Sequence, residues 1–293
     1  MLPIIDTHQH LWDLSRLRPP WLKEGNPLAR NHTTTEYLEA TRGLHVVKAV
    51  YMEIAVADAD LAAEAEQAIA ICRRADTPTV AAVIGGRPAA DGFADYVARF
   101  KDSPYVKGVR QIVHRRRASV HPCLEAAFVR GVRLLGEAGL SFDLCVGPAE
   151  LLDGNRLVAQ CPDTRFVVTH CGNADPKAFR PSPAARPPHD PDLWRRGMDA
   201  LAGRPNTICK ISGIVARVPK EWSADDLAPI VNHCLDAFGP DRVVFGSDWP
   251  VCTRGAPLRA WVAALKQIIA TRPEADQRKL LHDNAVRFYG LRS

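Results

Sequence analysis

Pro3-Ile4-Ile5-Asp6-Thr7-His8-Gln9-His10 is an apolar run that turns polar at its end, and its reading decides the fold. Read as a strand over Pro3–Asp6, it is short and apolar at consecutive positions, as parallel strands covered on both faces are. Seven further runs repeat the pattern: Val46–Glu53, Thr79–Gly85, Val106–Val113, Leu140–Val146, Arg165–His170, Thr207–Ser212 and Arg242–Ser247. Between them the apolar period becomes helical. Leu61, Ala65, Ala68, Ile69 and Cys72 form one stripe, behind a cap at Asp58 or Asp60, and Leu124, Ala127, Phe128, Val132 and Leu135 a second. Leu227, Ile230, Val231, Cys234, Leu235 and Phe238 form a third, stopped by Gly239-Pro240; Leu258, Trp261, Val262, Leu265, Ile268 and Ile269 form a fourth. Eight strands alternating with helices predict an α/β fold, a (β/α)8 barrel. The other candidate, an open doubly wound sheet, lacks a Gly-x-Gly-x-x-Gly after its first strand. One domain over 1–293 is expected, because such barrels commonly reach about 250 residues as a unit.

Composition narrows the function classes. With 46% hydrophobic and 24% charged residues, the chain can bury a large core and is not disordered. No apolar run approaches the roughly 20 residues that span a bilayer. The N-terminus lacks a basic region followed by an apolar stretch. A cytoplasmic protein without a membrane partner is therefore expected. The eight cysteines (72, 123, 145, 161, 171, 209, 234, 252) form no Cys-x-x-Cys pair and read as buried free thiols. The net charge of +5 is modest, and only Arg115-Arg116-Arg117 clusters, without interleaved aromatics, which argues against nucleic acid. A small-molecule substrate is the expected partner, and a homodimer is compatible with the sequence. Two proline-containing stretches, 15–35 and 175–191, fit neither period. Both follow strand C-termini, where barrel enzymes keep their chemistry, so both are expected to cover the site.

The polar residues at strand ends point the same way. On an extended chain His8 and His10 face one side and can present both imidazoles to a single ion. His170 closes Phe-Val-Val-Thr-His, Asp248 follows Val-Val-Phe-Gly-Ser, and Glu53 closes Ala-Val-Tyr-Met-Glu. The strand-one pair, His170 and Asp248 make an N3O set for a divalent ion; Glu53 is either a further ligand or a rim charge. Arg110 offers a cation for a carboxylate or a developing oxyanion. Asp143 and Lys210 lie inside strands, where a charge must be paired or face the site. His114, His121 and the arginines between them read either as a solvated loop or as a contact for an anionic ligand.

Taken in order, these stretches resemble a known group. Asp6-Thr7-His8-Gln9-His10-Leu11-Trp12, Thr169-His170-Cys171-Gly172-Asn173, Lys210-Ile211-Ser212-Gly213 and Phe245-Gly246-Ser247-Asp248-Trp249-Pro250 are similar to strand-end signatures of the amidohydrolase superfamily. Within it they resemble the amidohydrolase-2 branch, which includes sugar-lactone hydrolases. Asp283-Asn284-Ala285-Val286-Arg287-Phe288-Tyr289 resembles that branch's C-terminal helix. The resemblance runs from Ile4 to Tyr289.

It implies a distorted (β/α)8 barrel and hydrolysis of an aldonolactone of the fuconolactone or rhamnonolactone type. Asp248, His170 and Arg110 are then the catalytic candidates. His8, His10, Glu53 and Asp248 are the metal candidates, for one divalent ion, zinc first, which some relatives of the branch dispense with. Asp143, Lys210, His114 and Trp249 fall to the substrate side. No strand-four lysine is available to bridge two metals, and strand five offers Asp143 in place of a histidine, so a binuclear centre is not expected. The rival readings are a decarboxylase of the same branch, acting on an aromatic or enoic acid, and an amide or imide hydrolase.

Overall fold

The computed structural model describes residues 1–113, 122–180 and 187–292. Eight strands pair in sequence order, each parallel to the next. They are β1 (Ile4–Gln9), β2 (Val46–Met52), β3 (Thr79–Gly85), β4 (Val106–Ile112), β5 (Ser141–Cys145), β6 (Arg165–Val168), β7 (Thr207–Ile211) and β8 (Val243–Phe245). The helices that follow them in turn are α1 (Thr34–Thr41), α2 (Leu61–Cys72), α3 (Phe93–Phe100), α4 (Ala126–Glu137), α5 (Leu151–Gln160), α6 (Pro191–Ala202), α7 (Ala224–Phe238) and α8 (Leu258–Ile268). This is the expected (β/α)8 barrel.

Local chemistry starts several of the helices. Thr33 and Glu36 form a capping box ahead of α1, and Ser223 with Asp226 does so ahead of α7. Asp190 accepts from the amides of Asp192 and Leu193, with Pro191 pre-set at the first helical position of α6. The stripes read from the sequence face the core, buried except for the half-buried Leu124, Ala127 and Ile268. Trp261 on α8 and Trp194 on α6 are fully buried, and burial of such a side chain contributes at least about 2 kcal/mol. Inside the barrel, Ile5, Val50, Ala81, Val83, Val167, Ile208 and Val244 pack together with Ala285, Tyr289 and Leu291 from the C-terminal helical segment.

The barrel is distorted where it closes. β1 runs three residues past the expected Pro3–Asp6, to Gln9, while β8 shrinks to three residues. Closure is made beyond β8, where the Asp248 amide donates to the His8 carbonyl at 2.9 Å and the His10 amide to the Trp249 carbonyl at 2.8 Å. The seam between first and last strand therefore passes through the residues expected to carry the chemistry.

Candidate active site

Asp6 builds the closing corner. Its Oδ1 accepts from the amides of His8 at 3.1 Å and Ser247 at 2.7 Å, and its Oδ2 accepts from the Tyr37 hydroxyl at 2.7 Å. One buried carboxylate thus ties the end of β1, helix α1 and the turn after β8. That turn delivers Asp248, whose Oδ1 lies 3.5 Å from His8 Nε2, 3.3 Å from His10 Nε2 and 4.0 Å from His170 Nε2. All four residues are buried.

Hydrogen-bond partners settle where the ring protons sit. His10 Nδ1 lies 3.0 Å from the Met52 carbonyl, which can only accept, so Nδ1 carries the hydrogen. Arg110 Nη1 lies 3.2 Å from His8 Nε2; a guanidinium only donates, so that nitrogen accepts. The neutral His8 proton is then on Nδ1, a buried atom with no hydrogen-bond partner among the described residues. Burial holds the His170 imidazole down to about 3, with Arg110 and Arg217 also disfavouring its protonated form, against the pull of Asp248. Burial and the neighbouring His170 and Lys210 likewise hold His8 well below the usual imidazole range. Burial pushes the Asp248 carboxyl up, but the neighbouring His170, His10 and Arg110 leave it below its ordinary value. His10 therefore points its Nε2 lone pair at an ionised oxygen, an arrangement that calls for a cation between them, and such a cation would take over the His8 Nε2 lone pair that Arg110 now occupies.

Arg110 on β4 is fixed by Glu53. Its Nε donates to Glu53 Oε1 at 2.6 Å and its Nη2 to the Glu53 carbonyl at 2.9 Å. Glu53 Oε2 accepts from the Ala55 amide at 2.7 Å. Both Glu53 oxygens are occupied, so the geometry places this residue behind Arg110 and apart from the expected ligand set. Behind Glu53 stands Glu64 of α2, which accepts from Tyr51 Oη at 3.1 Å and the Ile54 amide at 2.6 Å.

His170 lies just beyond β6, which ends two residues earlier than the expected strand. From His170 to Asn173 the backbone is left-handed, with φ of 55°, 50°, 64° and 58°. The turn swings the imidazole inward, where Nδ1 meets Ser212 Oγ at 2.9 Å. Gly213 is required opposite it: its φ is +71°, and a β-carbon there would lie 2.3 Å from His170 Nδ1.

The remaining candidates separate. Lys210 Nζ donates to Asp143 Oδ2 at 2.9 Å and to the Thr7 carbonyl at 2.9 Å, a fully buried ion pair inside the barrel below the cavity. Neither residue reaches the cavity wall. Trp249 is buried against His32 and Tyr37 and does not line the cavity either. His114 lies outside the described residues. Arg217, Arg254 and Asn173, which the sequence reading did not single out, do line the cavity, as do Trp21, Asp175 and Lys177 from the two long loops. Its volume is about 670 Å³, well within the range of small-molecule sites.

His8, His170 and Asp248 bring donor atoms within 4.8 Å of one another, and they are all buried. With His10 beside Asp248 the set fits one divalent ion. Lys210, held by Asp143, is not placed to bridge a second.

A (β/α)8 barrel with imidazoles and a carboxylate converging at its strand ends defines a class, the barrel hydrolases built around one polar centre. The family model for amidohydrolases matches residues 5–291, and the chain belongs to that family. It is 30% identical over 300 residues to L-fucono-1,5-lactonase of Burkholderia multivorans, covering 98% of this chain and 96% of the relative. It is 23% identical over 339 residues to L-rhamnono-gamma-lactonase of Scheffersomyces stipitis, covering 98% of each. Among solved structures, an amidohydrolase from Burkholderia multivorans with bound zinc is similar at a TM-score of 0.83 and 26% identity, over 99% of this chain and 100% of that one.

Proposed function

We propose that this chain hydrolyses the ester bond of a sugar-acid lactone with activated water. The observation that carries the reading is the single buried oxygen, Asp248 Oδ1, ringed by three imidazole nitrogens at one end of the cavity. The similarity to lactone hydrolases over nearly the whole chain supports the substrate class. His8, His10, His170 and Asp248 are the residues that would hold one divalent ion, with zinc favoured by their nitrogen-rich donor set and by the zinc-bound relative. Such an ion supplies a more acidic water and a polarised carbonyl.

The chain's own groups do the rest. Asp248, ionised at neutral pH, takes the proton of the attacking water and returns it to the ring oxygen as the C–O bond breaks. Arg110 is buried, lines the cavity and is aimed by two bonds to Glu53, so its guanidinium meets the developing charge without reorganising. His170, neutral and fixed by Ser212, orients the carbonyl or an adjacent hydroxyl. Loops 15–35 and 175–191, of which 181–186 lie outside the described residues, serve as covers, a role supported by Trp21, Asp175 and Lys177 on the cavity wall. The eight cysteines are all buried and none is in a disulfide, which suits a reducing cytosol.

The test is a panel of aldono-1,4- and 1,5-lactones read with a pH indicator, with Asp248→Asn beside the parent. Hydrolysis with proton release, and a loss in kcat of about 10²–10⁴ in a folded variant, is expected. Carbon dioxide as product would make the enzyme a decarboxylase, and activity of Asp248→Asn within tenfold of the parent would remove Asp248 from its role.

A further inference from the structure

The cations around the cavity are not equally accounted for. Arg110 is paired with Glu53, and Lys177 Nζ lies 3.5 Å from Asp175 Oδ2. Arg217 is different. Its Nη2 donates to Asn173 Oδ1 at 2.8 Å and its Nη1 lies 3.5 Å from the Ala174 carbonyl, both neutral acceptors. Asn173 is itself anchored, donating through Nδ2 to the Val146 carbonyl at 2.9 Å. The guanidinium is therefore held still, half-buried, with no carboxylate against it among the described residues. Arg254, exposed on the same wall, has no hydrogen-bond or ion-pair partner among them.

Both arginines end short 3-10 turns, Ile214–Arg217 after β7 and Val251–Arg254 after β8. In barrels of this architecture the loops after the seventh and eighth strands are a recurrent place for an oxyanion. A cation pinned by neutral groups keeps its charge for a ligand, and charge-assisted bonds from it are stronger than those to a hydroxyl.

We infer that the substrate carries an oxyanion substituent, carboxylate or phosphate, remote from the scissile ester, and that Arg217 and Arg254 receive it. This rests on the lactonase reading and narrows it: the preferred lactone is an anion, not a neutral sugar lactone. The ester-cleaving end is Asp248 with its imidazoles; the recognition end is the β7–β8 side of the mouth.

Matched substrates separate the two ideas. D-Galactono-1,4-lactone and D-galactaro-1,4-lactone differ only by a hydroxymethyl or a carboxylate at C6. D-Glucono-1,5-lactone and its 6-phosphate make the phosphate pair. For at least one pair, kcat/KM is expected at least tenfold higher for the anion, chiefly through KM, with the preference shrinking as salt is added. Arg217→Gln and, separately, Arg254→Gln should each cut that preference at least threefold, the second at an exposed position with no hydrogen bond or ion pair to lose among the described residues. Arg217→Lys, which keeps the charge, should retain more of the preference than Arg217→Gln. Turnover of the neutral lactones with equal or poorer use of both anions overturns the inference and leaves the lactonase reading standing. A preference untouched by either glutamine variant removes these arginines from it. Failure to hydrolyse any of the four lactones would sink the lactonase reading and the inference together.

Discussion

Replacing Glu64 with Gln should make the protein more stable at neutral pH. Glu64 lies fully buried behind the site, where its acceptor bonds come from a tyrosine hydroxyl and one amide, both neutral, and its Oε2 has no partner. Glu53, by contrast, faces the Arg110 guanidinium. Burial, then the charge of Glu53, pushes the Glu64 carboxyl up to about 8 from an ordinary 4.5. A raised acid binds its proton more tightly in the fold than in the unfolded chain. Its stabilisation is fully present below about pH 4.5 and is lost progressively as pH rises to about 8. Each pH unit in that window is worth about 1.4 kcal/mol, so the parent at pH 7 has given up about 3 kcal/mol that a neutral amide keeps. Urea unfolding of parent and Glu64→Gln from pH 4.5 to 9 reads this directly. The two should be similar at the acid end and diverge upward, with the variant ahead by about 3 kcal/mol at pH 7. A difference that stays constant across the range would show that Glu64 is ionised in the fold, and the reasoning would fail.

Two further outcomes test the site from other sides. Metal analysis of the purified protein should find one divalent ion per chain, falling below about a fifth of that in His170→Ala, since an imidazole ligand supplies a large part of the affinity; two ions per chain at saturation would contradict the single-ion set. Lys210→Met should cost about 3–5 kcal/mol in urea unfolding, because it leaves the Asp143 carboxylate buried and unpaired, and Lys210→Met with Asp143→Leu should recover much of that loss.

The fold was legible because strands buried on both faces leave a continuous apolar signal, and each of the eight runs became a strand. The strand-end cluster was legible for a related reason. His8, His10, His170 and Asp248 interrupt or end apolar runs, where a packed core has no use for them, and they meet within about 4 Å of one oxygen. Roles that depend on a partner were harder to read. Lys210 and Asp143 are also polar in apolar strands, but they pair with each other across the barrel, and no single-strand pattern records a partner 67 residues away. Glu53 looks like a ligand until Arg110 is seen against it. Glu64 left a trace, an acid three positions after Leu61 on the buried face of α2, among stripe residues that would otherwise all be apolar. Arg217 and Arg254 left none, because short 3-10 turns after a strand have no period.

Backbone strain explains why the corner holding His170 and Asp248 depends on residues outside the candidate site. His170, Cys171, Asn173 and Asp248 all have left-handed φ values, and each such residue costs about 1–2 kcal/mol relative to ordinary helical geometry, less for Asn and Asp. The cost is tolerable only where surroundings over-determine the turn. Trp194 Nε1 donates to the Cys171 carbonyl at 2.9 Å, Asn173 is bonded to Val146, and the Gly172 amide returns to the Thr169 carbonyl at 2.9 Å. At Asp248 the same task falls to the His8 carbonyl and, one residue earlier, to Asp6 through the Ser247 amide. The imidazole and the carboxylate, which lie 4.0 Å apart, thus hang from two strained turns. Each turn is clamped by a different part of the barrel, and the two share no clamp residue. Loosening either one would relax its strain and move the imidazole and the carboxylate apart.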